Sequence, residues 1–167
     1  MMNIFSDEYS GWNSPIIGAY LLWRFSCGYK QNHRELVSPC IILYFLAYTL
    51  LSSKKYVNEI NNRKANLNSF VKKFVESDAE DIIACFSNEV EYYKKNCMKS
   101  IQIGVNIGLL FWDINQSALV PRSLKLVRGS GLMGKDAIKI GNAAEILGKW
   151  FSKEKISNIA SILGVVL

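Results

Sequence analysis

Hydrophobic residues recur along the chain at the spacing of helix faces, and this pattern predicts a mainly helical protein. Ser14-Pro15 opens the first predicted helix with proline in its first turn, and Gly28 closes it. The second predicted helix begins at Pro39 and is apolar on all sides as far as Leu51, which is typical of the central helix of a core. The apolar face of the first helix consists of Ile17, Leu21, Leu22 and Phe25.

Further helices are predicted beyond a polar, asparagine-rich segment at residues 58–66. Apolar residues repeat at helical spacing from Leu67 to Val75. Ser77-Asp-Ala-Glu80 has the form of a capping box and predicts the start of the next helix. The apolar faces of the later helices are Ile82, Ile83, Phe86 and Val90, then Ile140, Ala144, Leu147 and Phe151, and finally Ile156, Ile159, Ala160 and Leu163.

Residues 109–120 predict two short strands about a turn at Asp113 to Ser117. A short helix around Ile101 to Ile107 is predicted just before this hairpin, and the order of helix, short helix and hairpin is that of a winged helix-turn-helix. An incidental hairpin in a small helical domain fits the pattern equally well. We therefore predict one helical domain over residues 1–167 with a winged-helix-like element at 66–121, flanked by helical pairs at 1–57 and 134–167.

The net charge of +6 suits an acidic partner only where the charge is concentrated on one surface. One basic stretch meets a single acid, Asp136. Its members are Arg122, Lys125, Arg128, Lys135 and Lys139. We predict that they contact nucleic acid or an acidic protein surface, while a basic loop that simply faces water explains the same run.

Residues that could run a reaction are scarce. The lone histidine, His33, lies in a polar turn, and the four cysteines show no metal-ligand or disulfide spacing. Gly129 to Lys135 matches the glycine and lysine spacing of a phosphate-binding loop, but Asp136 stands where a magnesium-binding hydroxyl is needed. We expect no enzyme activity, no cofactor and no metal.

The segments that bear on location are the N-terminus and the apolar run from Pro39. The first residues are acidic where a secretory signal carries positive charge. The run from Pro39 to Leu51 is shorter than the ~20 apolar residues of a membrane span. A cytoplasmic protein without a membrane partner is therefore expected.

Four tryptophans and several tyrosines exceed what a small core requires. These side chains are favoured at protein interfaces, because they bury large areas and keep a polar handle. Packing in the protein's own core is the competing explanation for each of them.

Four blocks of sequence resemble the small middle components of bacterial three-component ABC systems. Residues 13–29 resemble the family's N-P-A-x-x-A-x-L-L-W-R-F-x-x-G-Y start, and Ser38 to Leu46 matches its long apolar helix. Ala65 to Phe70 and residues 143–164 agree with two later blocks in the same order.

The resemblance implies a non-catalytic adaptor that binds an SMC-like ABC ATPase and a nuclease-type effector, in defence of the Lamassu type against phage or plasmid DNA. On this reading the regions from Trp12 to Tyr29 and from Lys149 to Leu167 supply subunit contacts, and DNA is reached through the complex. The predicted partner-binding residues are Trp12, Trp23, Arg24, Tyr29, Trp150 and Phe151.

A stand-alone winged-helix DNA-binding regulator is the alternative function. It requires that the isolated protein read a DNA sequence, and the predicted short helix around Ile101 carries no arginine for a guanine edge.

Overall fold

The computed structural model describes residues 14–62, 65–76, 80–124 and 134–166. Across these residues the chain forms helices and one two-stranded antiparallel sheet, as the hydrophobic pattern predicts. The elements are α1 (Pro15–Asn32), α2 (Ile41–Leu51), α3 (Lys54–Ile60), α4 (Leu67–Glu76), α5 (Glu80–Asn106), β1 (Leu110–Asp113), β2 (Ala118–Pro121), α6 (Lys135–Phe151) and α7 (Ile156–Ile162).

Helix α1 is the centre of the fold and is buried on nearly every side from Gly18 to Tyr29. It packs against α5 on one side and most extensively against α6, near the other end of the chain. The three predicted sub-regions therefore contribute to one shared hydrophobic core. Pro15 stands at the start of α1 as predicted.

The prediction that Gly28 ends α1 is wrong, since the helix continues to Asn32. Gly28 instead lies where α1 crosses α6, and a Cβ at this position would collide with the backbone carbonyl of Glu145. Gly148 of α6 has the reciprocal role, because a Cβ there would collide with the carbonyl oxygen of Phe25. The two glycines allow the helix backbones to touch.

The core beside this crossing is aromatic. The Phe25 ring meets Tyr44 and Phe151 edge to face, with centroids 5.5 Å and 5.7 Å away. The Tyr44 hydroxyl donates to the carbonyl oxygen of Leu119 at 2.9 Å and lies 2.8 Å from Ser26 Oγ. Tyr44 thereby ties α2 to both α1 and strand β2.

The predicted short helix around Ile101 to Ile107 is also wrong. Helix α5 runs unbroken for 27 residues to Asn106, and Gly104 lies inside it. Gly108, two residues beyond the last helical residue, has φ of +77°, and Leu109 N–H donates to the carbonyl of Gly104 at 2.9 Å to close the helix end. The sequence of helix, short helix and hairpin that suggested a winged helix is thus absent from residues 80–121.

The predicted hairpin is confirmed. Strand β1 pairs with β2 in the register Leu110 with Pro121 and Asp113 with Ala118. Asp113 Oδ1 accepts hydrogen bonds from the backbone N–H groups of Asn115 and Gln116, which fixes the turn. The capping box at Ser77 lies outside the described residues, although the helix that it predicts is present as α5.

Candidate functional site

Arg24 and Glu145 form a semi-buried ion pair between α1 and α6. The Nη2 and Oε2 atoms are 2.6 Å apart, and the Arg24 side chain is 7% exposed against 42% for Glu145. Arg24 also donates to the Tyr20 hydroxyl at 3.0 Å and to Asn142 Oδ1 at 3.3 Å, while its Nε lacks a hydrogen-bond partner among the described residues. The guanidinium is thus held at the base of an open groove.

This groove, here called the α6 groove, has a volume of about 1240 Å³. One wall is the outer face of α6, and the other is formed by Asn61 and by residues 65–68 at the start of α4. The α4 wall is shaped by a reciprocal cap, because Asn66 Oδ1 accepts from Ser69 N–H while Asn66 N–H donates to Ser69 Oγ, each at 2.8 Å. The charged lining residues are Arg24, Lys135, Lys139, Lys149 and Lys153, with Glu145 and Glu154.

The positive charges of the α6 groove are only partly compensated. Lys139 Nζ donates to Asn58 Oδ1 at 2.6 Å, which joins α6 to α3. Lys135, Lys149 and Lys153 are exposed and form no ion pair with another residue in the described ranges. The rim of the groove is therefore a positive surface.

Of the predicted basic cluster, Lys135 and Lys139 line the α6 groove and Arg122 does not. Arg122 is exposed immediately after β2, where its guanidinium lies close to Gly108. Lys125 and Arg128 lie outside the described residues, as does most of the glycine-rich run before Lys135. The structure therefore places Lys135 and Lys139 in one groove and Arg122 outside it.

Lys149 and Lys153 were predicted only as part of the contact region from Lys149 to Leu167, and the asparagines of this groove were not singled out. The missed signal was the helical spacing of the polar residues themselves, since Lys135, Lys139, Asn142, Glu145 and Lys149 form one stripe along α6. The prediction grouped basic residues that are near one another in sequence, whereas an α-helix brings residues three or four positions apart onto one face.

Most of the predicted partner-binding residues lie inside the protein, which corrects the expectation of direct contact. Trp23, Tyr29 and Phe151 are 5%, 6% and 0% exposed, and Trp150 is 8% exposed at the edge of the α6 groove. Trp23 Nε1 donates to the backbone oxygen of Ser123 at 2.9 Å. Trp23 and Tyr29 lie on α1, which is enclosed by α5, α6 and the 121–124 segment, whereas Arg24 and Trp150 line the α6 groove. Trp12 lies outside the described residues.

A second surface is found on the hairpin. Strand β2 is buried along its whole length, whereas β1 leaves Phe111 39% and Trp112 46% exposed. Ile114, in the following turn, is 88% exposed. These three residues are called the hairpin surface, within which Phe111 and Trp112, as consecutive residues of a strand, lie on opposite faces. An interface role was predicted for Trp112 as one of the four tryptophans, whereas Phe111 and Ile114 were not singled out.

Cys27 and Cys97 are buried, and His33 is engaged at the end of α1. Burial raises the pKa of the Cys27 thiol to about 12 and that of the Cys97 thiol well above its usual range. His33 stacks on Tyr29 with ring centroids 5.4 Å apart, and its Nδ1 accepts from Glu35 N–H. The described residues contain no group of three or more metal-ligating side chains, and none of the described helices is long and apolar enough to cross a membrane.

The described residues form a small, mainly helical fold with two exposed surfaces, the α6 groove and the hairpin surface. The family model for the ABC-three component (ABC-3C) system Middle Component 3 matches residues 2–167. The chain therefore belongs to this family, which confirms the resemblance drawn from the sequence, and a middle component works with the partner proteins of its system. Comparisons with curated proteins and with solved structures gave no match.

Proposed function

We propose that this chain is a non-catalytic adaptor of a Lamassu-type system in the cytoplasm. It holds an SMC-like ABC ATPase together with a nuclease-type effector that acts against phage or plasmid DNA. Membership of a middle-component family supports the adaptor role, because a middle component belongs to a system of several proteins.

The hairpin surface is the observation that carries this proposal. Phe111 and Trp112 are large side chains of a kind enriched at interfaces, and 39% and 46% of their surface remains exposed. Strand β2 holds the hairpin firmly, since Leu119 accepts the hydrogen bond from the buried Tyr44. A partner therefore meets a preformed surface, which reduces the entropy lost on binding.

The non-catalytic part of the proposal is supported by the state of the candidate nucleophiles. A thiol acts as a nucleophile in its thiolate form, and the raised pKa values keep Cys27 and Cys97 protonated at neutral pH. His33 is engaged by Tyr29 and by Glu35 N–H at the end of α1. ATP hydrolysis and cleavage are accordingly assigned to the other chains of the system.

The DNA part of the proposal rests on Arg122, with Lys125 and Arg128 beside it in sequence. Arg122 is exposed and forms no ion pair with another described residue. In the assembled complex these three side chains contact DNA phosphate or an acidic partner surface.

The test is to tag the chain in its native operon, purify it gently and determine the identity and mass of what accompanies it. An SMC-like ATPase in defined stoichiometry is the expected result. Trp112→Ala should weaken its retention about tenfold, as expected for a central interface aromatic. Met98→Ala is the matched control, because Met98 on α5 is 45% exposed and should be dispensable.

A lone protein at moderate salt would contradict the adaptor proposal and would favour the stand-alone DNA-binding regulator. That alternative is weakened by the continuous α5, which leaves no separate recognition helix before the hairpin. Sequence-specific binding of DNA by the isolated protein is the result that would support it.

A further inference from the structure

We propose that the α6 groove binds an acidic, amphipathic polypeptide segment of another protein in the same system. This inference rests on the proposed adaptor function and names both the surface and the chemistry of its partner. It assigns a role to a groove that lies apart from the hairpin surface and from Arg122.

The positive charge of the α6 groove favours a negatively charged partner. Glu145 is neutralised by Arg24, whereas Lys135, Lys149 and Lys153 have no acidic partner within the described residues. Uncompensated lysines along one rim attract carboxylates and accelerate encounter with an acidic segment, an effect that salt weakens.

The apolar lining selects an amphipathic partner over a purely acidic one. Ile138 is 37% exposed on the outer face of α6, and the half-buried Ile146 also lines the groove. Lysines and apolar side chains therefore alternate along α6 from Lys135 to Lys149. At 1.5 Å per residue this stretch is about 21 Å long, which matches roughly 14 residues of helix or six residues of extended chain.

Polar groups in the groove favour a polypeptide over a nucleic acid. The arginine of the groove is already paired with Glu145, so its guanidinium is not free for a bidentate contact with phosphate. Trp150, the aromatic residue of the lining, is 8% exposed and gives little surface on which a base could stack. The amide of Asn68, which is exposed on the opposite wall, can both donate to and accept from a peptide backbone.

A charge-reversal experiment on the assembled complex tests this inference. The groove variant is K149E/K153E, and the control is K95E/K99E, which reverses two exposed lysines with the same spacing on α5. The probe is the complex of this chain with the ATPase and effector encoded in its operon, measured by titration of the tagged chain at two salt concentrations. We expect the groove variant to weaken binding about tenfold at low salt, and the control to weaken it less than about twofold.

The milder variant K149Q/K153Q and thermal melting of each variant separate loss of charge from loss of folding. A photo-crosslinker at Asn68 then identifies the occupant, and the expected product is an acidic segment of the ATPase or the effector. Equal binding by both charge-reversal variants, or a cross-link to nucleic acid, overturns the inference while leaving the adaptor function intact. Failure of the wild-type chain to form any complex overturns both.

Discussion

The two faces of α6 differ in what they carry and in what they contact. On the inner face Gly148 lies against the α1 backbone and the Phe151 ring packs on Phe25, and the semi-buried pair of Arg24 and Glu145 stands at the edge of this face. The outer face presents lysines and isoleucines to an open groove. One helix therefore serves as a fixed part of the core and as an available surface.

This difference explains where the large aromatic residues and the charges are found. Close contact between helices requires small residues at the crossing and buries the aromatic side chains beside it. Long, flexible lysines remain on the outer face, where their ammonium groups stay hydrated. Substitutions on the inner face should therefore affect folding, and substitutions on the outer surfaces should affect binding.

The largest expected effect is that of Phe25→Ala. Phe25 is fully buried between Tyr44 and Phe151, so its truncation leaves a cavity in the core and should cost about 3–5 kcal/mol of unfolding free energy. Urea denaturation measures the loss. Phe111→Ala, which removes an exposed ring from the hairpin surface, should cost less than about 1 kcal/mol. Equal losses for the two variants would contradict the distinction between core and surface.

Gly148→Ala should have the next largest effect. A Cβ at Gly148 has no room against the α1 backbone, so α1 and α6 must separate, and we expect a loss of about 2–3 kcal/mol in the same denaturation experiment. Gly134→Ala at the start of α6 is the control, because a Cβ added there would have nothing within 4 Å. This substitution should lower the free energy of unfolding by about 1 kcal/mol or less. A fully stable Gly148→Ala protein would show that the crossing is looser than described.

The pH dependence of stability should reveal the burial of Cys27. Its pKa rises from 9.0 to about 12 on folding, so the folded state holds the proton more tightly than the unfolded state. The contribution is fully present below pH 9 and is lost as pH rises from 9 towards 12, with a slope of up to about 1.4 kcal/mol per pH unit. Cys27→Ala should flatten this decline. The measurement is urea denaturation at a series of pH values, and an identical decline in the wild-type and Cys27→Ala proteins would contradict the prediction.

Replacing Arg122, Lys125 and Arg128 by alanine should have the smallest effect on the stability of the isolated chain. It should nevertheless change how the complex binds DNA. Folding should be unaffected, while the salt dependence of DNA binding by the complex should become shallower by up to about 2.7 in logarithmic slope. Fluorescence anisotropy across a salt series measures this slope. An unchanged affinity and slope would remove these residues from DNA binding.

The two helix-associated glycines show how far sequence could predict the fold. Gly28 and Gly108 both follow an apolar helical run, yet Gly108 ends a helix with a positive φ whereas Gly28 lies within one. The difference depends on Glu145, whose carbonyl lies against Gly28 and belongs to a distant part of the chain. Helical spacing predicts the helices. Whether a glycine ends a helix or lies at a helix crossing depends on the helix that packs against it.

The candidate surfaces show the same limit. The lysine stripe of α6 follows from its spacing, but the α6 groove exists only because Asn61 and residues 65–68 form an opposite wall. Two short apolar runs about a polar turn predicted the hairpin correctly, but they did not show that β2 packs against Tyr44 while Trp112 on β1 stays partly exposed. These are long-range contacts that local patterns do not encode.

Hydrogen–deuterium exchange of the free chain and of the purified complex is the measurement that tests this account most directly. We predict that assembly increases protection in β1 and its turn, along α6 and at residues 65–68, while α1 is already protected in the free chain and changes little. Protection gained mainly in α1, or unchanged exchange at both the hairpin surface and the α6 groove, would contradict the assignment of these surfaces to partner binding.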